Sequence, residues 1–126
     1  MAAKLEIYKC EICGNVVEVL DGFDAPLVCC GEEMSLYEAK KTDEGKEKHV
    51  PECERADDGL NVQVGSTPHP MKDEHYIQWV ELVDGDETRR VFLKPGQEPK
   101  ASFCCVGENV KVREFCNVHG LWETQA

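Results

Sequence analysis

Short runs in which apolar and polar residues alternate recur along the chain, and they predict a protein built mainly of β-strands. Near the start, Leu5 to Tyr8 alternates as one strand, and Val16 to Leu20 forms a second that is closed by the turn residues Asp21 and Gly22. This pattern therefore predicts a small ribbon over residues 1–37. A segment this short buries too little apolar surface to fold unaided, so we expect a metal ion to cross-link it.

Residues 47–126 show short strands with turn signals between them. Tyr76 to Val83 is a longer strand that contains Trp79, and Asp84-Gly85-Asp86 marks the turn after it. Further strands are predicted around Leu60, Val62 and Val64, before Lys94-Pro95-Gly96, over Ala101 to Val106 and over Val110 to Phe115. About six or seven strands with no amphipathic helix predict a β-sandwich. Residues 38–46, between ribbon and sandwich, are polar and charged, as is typical of a linker.

The overall composition narrows the classes of partner. The 126 residues are 41% hydrophobic and 31% charged, which is typical neither of a membrane protein nor of a disordered acidic tail. No apolar run of about 18 residues occurs, and the first residues lack an apolar signal core, so we expect a cytoplasmic protein. Acidic residues number 25 and basic ones 14, and the resulting net charge of −11 argues against a nucleic-acid backbone as partner.

Eight cysteines in a chain without an export signal indicate metal ligation before disulfides. Cys10 and Cys13 form a Cys-x-x-Cys pair, and the adjacent Cys29 and Cys30 follow it. Four thiolates can close a tetrahedral shell around one ion. Because a closed shell leaves no position for a substrate, such a site is structural or carries electrons, and both zinc and iron suit it. The adjacent second pair resembles desulforedoxin, a small iron–sulfur protein related to rubredoxin.

The histidines indicate a second site in the other part of the chain. Each of them lies beside proline, glycine or an aromatic residue, and they are His49, His69, His75 and His119. A single histidine is more often a surface or core residue than a ligand, but four in such settings, one of them close to Cys116, favour ligation. Iron accepts imidazole and thiolate together and prefers six positions, so this set of five leaves one position open for a reactant. The thiolate favours chemistry on dioxygen species because it pushes electron density onto the iron.

Four segments carry a resemblance to the desulfoferrodoxin family of two-iron superoxide reductases. They are Glu47-Lys48-His49-Val50-Pro51, His69-Pro70-Met71 followed by His75-Tyr76-Ile77-x-Trp79, Phe92-Leu93-Lys94-Pro95-Gly96, and Cys116-Asn117-x-His119-Gly120-x-Trp122. The resemblance spans the whole chain. It implies a desulforedoxin-like domain over residues 1–37, the linker 38–46, and an immunoglobulin-like β-sandwich over residues 47–126, usually in a homodimer.

The resemblance also implies a reaction, which is the one-electron reduction of superoxide to hydrogen peroxide. An external donor such as rubredoxin then restores the ferrous state. Two irons per chain are implied. The ligands of the first are Cys10, Cys13, Cys29 and Cys30, and those of the second are the imidazoles of His49, His69, His75 and His119 with axial Cys116. Glu47 is implied to close the sixth position once the iron is ferric, and Lys48 to assist the substrate.

Three cysteines have no ligand role in this scheme. Cys53, Cys104 and Cys105 are predicted to be small apolar residues of the interior. On the strand predicted over Ala101 to Val106, neighbouring side chains point to opposite faces, so at most one of the adjacent pair can face the core. A role in redox chemistry has no support in the sequence.

Two other functions are compatible with the same residues. One is an electron carrier in which both irons shuttle electrons without a substrate, and the open position beside Lys48 speaks against it. The other is a zinc ribbon joined to a binding sandwich, which forms an interaction module. Because zinc sites are colourless and iron sites absorb visible light, metal analysis with a visible spectrum separates these functions.

Overall fold

Strands make up all the regular secondary structure in the part of the chain that the computed structural model describes, which is residues 2–41, 49–65 and 69–126. This part of the chain therefore contains no helix that could span a membrane. The chain divides into two units, Met1–Glu38 and Ala39–Ala126. Residues 42–48 lie outside the described residues; they are the second half of the predicted linker and the first two residues of the predicted sandwich.

The first unit is a small ribbon of five short strands. They are β1 (Ile7–Lys9), β2 (Val16–Glu18), β3 (Val28–Cys29), β4 (Glu32–Glu33) and β5 (Ser35–Tyr37). β1 lies between β2 and β5 in an antiparallel sheet, and β3 pairs with β4 as a hairpin. The first strand begins later than predicted because Leu5 has a φ of 74° and lies in a turn. The predicted ribbon is confirmed, although β3, β4 and β5 were not predicted as separate strands.

The second unit is a sandwich of two antiparallel sheets. Its strands are β6 (Pro51–Ala56), β7 (Gly59–Val64), β8 (Ile77–Asp84), β9 (Glu87–Phe92), β10 (Lys100–Phe103), β11 (Lys111–Cys116) and β12 (Gly120–Gln125). One sheet has the strand order β10-β7-β6 and the other has the order β12-β11-β8-β9. The seven strands confirm the predicted β-sandwich.

One apolar core is shared by these two sheets. On β7, Leu60, Val62 and Val64 alternate with polar residues and are almost fully buried, as the sequence pattern predicts. Val80 and Leu82 of β8 belong to the same core. Burial of each such side chain contributes about 1.5–3 kcal/mol to the free energy of unfolding, so this core provides a rigid base for the loops at the strand ends.

A row of charged side chains crosses the four-stranded sheet. The register sets Arg90 of β9 opposite Glu81 of β8, Glu81 opposite Arg113 of β11, and Arg113 opposite Glu123 of β12. Glu81 is fully buried, and it accepts hydrogen bonds from Arg90 and from Arg113, whose Nε lies 2.8 Å from its Oε1. A buried carboxylate needs such partners because it has lost its hydration.

The end of β10 differs from the prediction. The strand stops at Phe103, and Cys104 and Cys105 lie in the bend that follows, both exposed. Cys105 has a φ of 58°, in the left-handed region, which breaks the alternation of a strand. The prediction that these two cysteines lie on opposite faces of a strand as interior residues is therefore wrong. Cys53, by contrast, is half-buried and packs against the core.

Candidate metal centres

Four cysteines of the first unit form what we call the four-cysteine cluster, made of Cys10, Cys13, Cys29 and Cys30. Cys10 directly follows β1, and Cys29 ends β3. After Cys10 the chain turns back, because the N–H of Gly14 donates to the carbonyl of Cys10 at 2.9 Å and the φ of 86° at Gly14 suits glycine. Cys30 and Gly31 have φ values of 54° and 76° and form the tight turn between β3 and β4. Two turns thus bring the two pairs together.

The sulfur positions in this cluster fit a tetrahedral ion. The Sγ atom of Cys29 lies 3.6 Å from that of Cys13 and 3.9 Å from that of Cys30. All four sulfurs lie within 4.8 Å of one another. Four sulfurs placed tetrahedrally at about 2.3 Å from one ion are about 3.8 Å apart. The cluster therefore already has the dimensions of a four-thiolate metal site.

Hydrogen bonds set the order in which these thiols ionise. The backbone N–H of Cys13 lies 3.4 Å from Sγ of Cys10 and lowers the pKa of Cys10 to about 7. The hydrogen bonds of Cys30 to Cys13, Cys10 and Cys29, in that order of importance, raise the pKa of Cys30 to about 12. The first thiolate thus forms near neutral pH, and the charge of a bound cation is needed to ionise the whole set.

Five side chains of the second unit form a second group, which we call the histidine–cysteine cluster: His49, His69, His75, Cys116 and His119. They come from the ends of strands. His49 precedes β6, His69 follows β7 and His75 precedes β8, while Cys116 ends β11. Because β6 runs antiparallel to β7 and β8 antiparallel to β11, all of these ends lie at the same end of the sandwich. His119 lies in the turn between β11 and β12.

The four imidazole rings form a closed cycle. Centroid distances are 4.8 Å from His49 to His69, 4.7 Å from His69 to His75, 4.9 Å from His75 to His119 and 4.6 Å from His119 to His49. Each neighbouring pair meets edge to face, with interplanar angles of 66° to 85°. Nε2 of His49 lies 3.0 Å from Nδ1 of His119. Two donors at right angles around one ion, each about 2.1 Å from it, are about 3.0 Å apart, so these imidazoles fit a shared metal ion.

The thiol of Cys116 lies to one side of this cycle of imidazoles. Its Sγ is 3.5 Å from Nε2 of His69 and 3.9 Å from Nδ1 of His119, which occupy opposite corners of the cycle. A sulfur close to two opposite corners must lie to one side of the middle of the four rings. Cys116 is fully buried, and the backbone N–H of His119 lies 3.4 Å from its sulfur. The donor set is thus four imidazoles with one thiolate on their inner side, which suits iron better than zinc.

The His69 ring is held in one orientation. Its Nδ1 lies 2.7 Å from the carbonyl oxygen of Pro70, and this contact directs Nε2 toward the cluster. A histidine that binds a metal through one ring nitrogen normally forms such a hydrogen bond through the other. Burial lowers the pKa of His69 to about 4, so its imidazole is neutral at physiological pH, as a metal ligand must be.

Two residues that had no predicted role support the cluster. The side-chain oxygen of Asn117 accepts the N–H of Tyr76 at 2.9 Å, which ties the loop of Cys116 to the segment that carries His75. The indole of Trp122 stacks on the ring of His49 at 4.7 Å and donates to the carbonyl of His119 at 3.2 Å. Both residues belong to the Cys-Asn-x-His-Gly-x-Trp segment, and this motif is the sequence feature that could have indicated their supporting role.

Exposure differs across the cluster. His69 and Cys116 are buried, His49 and His75 are half-buried, and His119 is exposed. The cluster therefore lies at the surface with its thiol inside. The two further site residues predicted from the sequence, Glu47 and Lys48, lie outside the described residues.

Family models match both parts of the chain. The model described as "Desulfoferrodoxin" matches residues 41–125, and the model described as "Desulfoferrodoxin, N-terminal domain" matches residues 2–37. Among curated proteins, a desulfoferrodoxin of Syntrophotalea carbinolica is 51% identical over 99% of each chain. A desulfoferrodoxin homolog of Archaeoglobus fulgidus is 50% identical and covers 98% of this chain and 99% of its own.

Solved structures are similar in fold. A superoxide reductase from Treponema pallidum superposes with a TM-score of 0.79 at 26% identity, covering 98% of this chain and 99% of its own. A one-iron superoxide reductase from Giardia intestinalis gives a TM-score of 0.57 at 32% identity and covers 64% of this chain and 98% of its own. The similarity of the first structure thus spans both units.

Proposed function

This chain belongs to the desulfoferrodoxin family, and we propose that its histidine–cysteine cluster holds the iron ion at which it reduces superoxide. The chain is an oxidoreductase that converts superoxide to hydrogen peroxide. The observation that carries the proposal is the closed cycle of four imidazoles with the Cys116 sulfur on its inner side. These five residues would hold the iron and would leave one of the six positions that iron prefers open to a reactant.

Iron held by these five residues would provide the electron that reduces superoxide, and two protons from solvent would complete hydrogen peroxide. The chain's own residues prepare the site for this reaction. Cys116 supplies a thiolate from the buried side, and the N–H of His119 steadies its charge at 3.4 Å. Pro70 holds His69 in the ligating orientation through the 2.7 Å contact to Nδ1. Such preorganisation means that little of the site has to move during the reaction.

Two residues next to His49 complete the proposal. We assign Lys48 the role of attracting the superoxide anion and donating a hydrogen bond to it, against a net charge of −11 on the whole chain. We assign Glu47 the role of a residue that would help to hold the iron once it is ferric, since a carboxylate suits a hard cation. If Glu47 has this role, the ferric spectrum of Glu47→Ala differs from that of the parent protein; identical spectra remove Glu47 from the scheme.

The four-cysteine cluster has a different role in the proposal. Its sulfur distances support a closed four-thiolate shell, and a closed shell transfers electrons or holds the fold but binds no substrate. We propose iron here as well, which gives two irons per chain, with residues 1–37 as the iron domain, 38–46 as the linker and 47–126 as the catalytic domain. Zinc in this shell is the second possibility, because zinc has the same preferred geometry and sulfur distance.

The partners of the reaction follow from its electron balance. Each turnover consumes one electron, so an external donor must return it, and we propose a rubredoxin or a similar small electron carrier for this role. We further propose a cytoplasmic homodimer. The net charge of −11 supports the absence of a nucleic-acid partner.

Metal analysis combined with measured stoichiometry tests the function. The purified protein is expected to contain iron, to absorb visible light and to produce one hydrogen peroxide for each superoxide consumed while an electron donor is present. Release of oxygen with one peroxide for every two superoxides would indicate dismutation instead. A colourless zinc protein that consumes no superoxide would support the interaction module, and an iron protein that only exchanges electrons would support the carrier.

A further inference from the structure

The bend after β10 carries two cysteines that the mechanism does not use. Cys104 and Cys105 follow the last strand residue, Phe103, and both are exposed. Because they are neighbours in the chain, their Cα atoms are about 3.8 Å apart. The left-handed φ of 58° at Cys105 turns its side chain out of the strand alternation. The two thiols are therefore on neighbouring residues of a bend, outside the strand and open to solvent.

Hydrogen bonds from other segments of the sandwich hold the backbone of this bend. The guanidinium of Arg89, on β9, donates to the carbonyls of both Cys104 and Cys105, the second at 3.2 Å. Arg89 in turn lies 3.7 Å from the carboxylate of Asp84. The N–H of Val106 donates to the carbonyl of Asp58 at 2.8 Å. These contacts hold the backbone of the bend and involve neither thiol, and both cysteines remain exposed.

We propose that Cys104 and Cys105 form a redox-active dithiol that hydrogen peroxide oxidises to a disulfide between the two neighbouring residues. In the first step one of the two sulfurs attacks one peroxide oxygen, the O–O bond breaks, and the departing hydroxide takes a proton to become water. In the second step the other sulfur attacks the resulting sulfenic acid, an S–S bond forms, the S–O bond breaks, and a second water leaves. The two thiols lose two electrons in all, and peroxide gains them.

The two thiols share the reaction because of their positions in the chain. Both are exposed, so either can meet peroxide first. The other thiol, on the neighbouring residue, is then the group placed to attack the sulfenic acid.

The product is expected to be readily reversible. Neighbouring Cα atoms are about 3.8 Å apart, closer than in most disulfides, so a bond between adjacent cysteines is strained and more easily reduced. Peroxide is the product of the superoxide reaction, so the dithiol lies on the protein that generates its oxidant. A small dithiol or thioredoxin-type reductant would return both thiols.

Peptide mass spectrometry of the metal-loaded, oxidised protein tests this directly, with peroxide added so that the result does not depend on superoxide turnover. Trypsin releases residues 101–111, which contain only these two cysteines, and residues 49–55, which contain only Cys53. Peroxide is quenched with catalase and the remaining thiols are alkylated. The 101–111 peptide is expected to lose two hydrogens and both alkylation sites, and dithiothreitol is expected to restore them.

Cys53 is the matched internal control, because burial raises the pKa of its thiol to about 11. Residues 101–111 are expected to lose their free thiols at least about tenfold faster than Cys53 does. Cys105→Ser is expected to abolish the loss of two hydrogens without changing superoxide reduction. Cys53→Ser is expected to leave the loss of two hydrogens from residues 101–111 intact. Equal rates for the two peptides, oxidation only to sulfinic or sulfonic acid, or a disulfide to a second chain would each overturn the proposal.

Discussion

The sulfur of Cys116 lies 3.5 Å from Nε2 of His69, although 47 positions separate the two residues in the chain. Both are buried, and they come from opposite sheets of the sandwich, His69 after β7 and Cys116 at the end of β11. The contact exists because the C-terminal ends of β7 and β11 lie at the same end of the sandwich. The centre therefore depends on the packing of both sheets.

Replacement of Cys116 by serine is expected to remove the sulfur-to-metal charge-transfer absorption and to lower superoxide reduction by at least about 100-fold. A hydroxyl is a much weaker donor than a thiolate and is not ionised at neutral pH, and even the loss of a residue that orients a ligand costs 10- to 100-fold. Visible spectra and stopped-flow rates on the same iron-quantified sample measure both effects. Full activity with iron retained would show that the sulfur is not a ligand.

Replacement of Cys13 by serine is expected to empty the four-cysteine cluster and to leave superoxide reduction per remaining iron within about twofold of the parent, since the two clusters use separate donor sets. Metal content by plasma emission and the rate of superoxide loss are measured together. If a folded variant loses most of its activity per iron, the four-cysteine cluster takes part in turnover.

Replacement of Lys48 by isoleucine is expected to slow the bimolecular reaction roughly 5- to 100-fold. A unit charge at about 5 Å from superoxide contributes roughly 1–3 kcal/mol for effective dielectric constants between about 80 and about 20. The parent rate is also expected to fall with added salt, and that of the variant to fall less. Pulse-generated superoxide at low and high ionic strength measures both rates.

Lys111→Ile is the matched control for Lys48, because it removes the same charge at the start of β11, at the other end of that strand from Cys116. Its rate and salt dependence are expected to stay close to those of the parent. If the two variants behave alike, the effect of Lys48 comes from net charge and not from its position.

Replacement of Glu81 by alanine is expected to lower the free energy of unfolding by about 3–5 kcal/mol, because it leaves two arginines of the sheet without their buried carboxylate. Glu98→Ala is the control. Glu98 forms an exposed pair with Lys100 at 3.6 Å, and its loss is expected to cost less than about 1 kcal/mol. Urea unfolding followed by tryptophan fluorescence compares the two, and equal costs would contradict the role given to burial.

The alkylation rate of Cys53 is expected to keep rising with pH beyond pH 9. Burial first, and then the negative charge of Glu52, raise the pKa of this thiol to about 11, so its thiolate fraction still increases between pH 9 and pH 11. At pH 8 iodoacetamide is expected to modify Cys53 at least about tenfold more slowly than a free cysteine of ordinary pKa. A plateau near pH 9 would show that burial does not suppress the thiolate.

Much of this protein could be predicted without its structure, because the signals are local. The alternation of Leu60, Val62 and Val64 with polar residues predicts a strand with one buried face, and the structure has that strand. The donor types of both candidate metal centres are chemical properties of cysteine and histidine, so spacing and composition were enough to nominate the candidate ligands. The roles of Glu47 and Lys48, which lie outside the described residues, stay predictions.

Only the tertiary structure decided how distant residues meet. The order of the imidazoles around the cycle and the position of Cys116 beside it depend on which strand ends lie together, and no local pattern contains that information. The row through Glu81 depends on the register of four strands. The bend at Cys104 and Cys105 depends on Arg89, which reaches their carbonyls from a strand of the other sheet. Hydrogen bonds between segments replaced the strand pattern there, because the carbonyls of Cys104 and Cys105 find their partner in the guanidinium and not in a neighbouring strand.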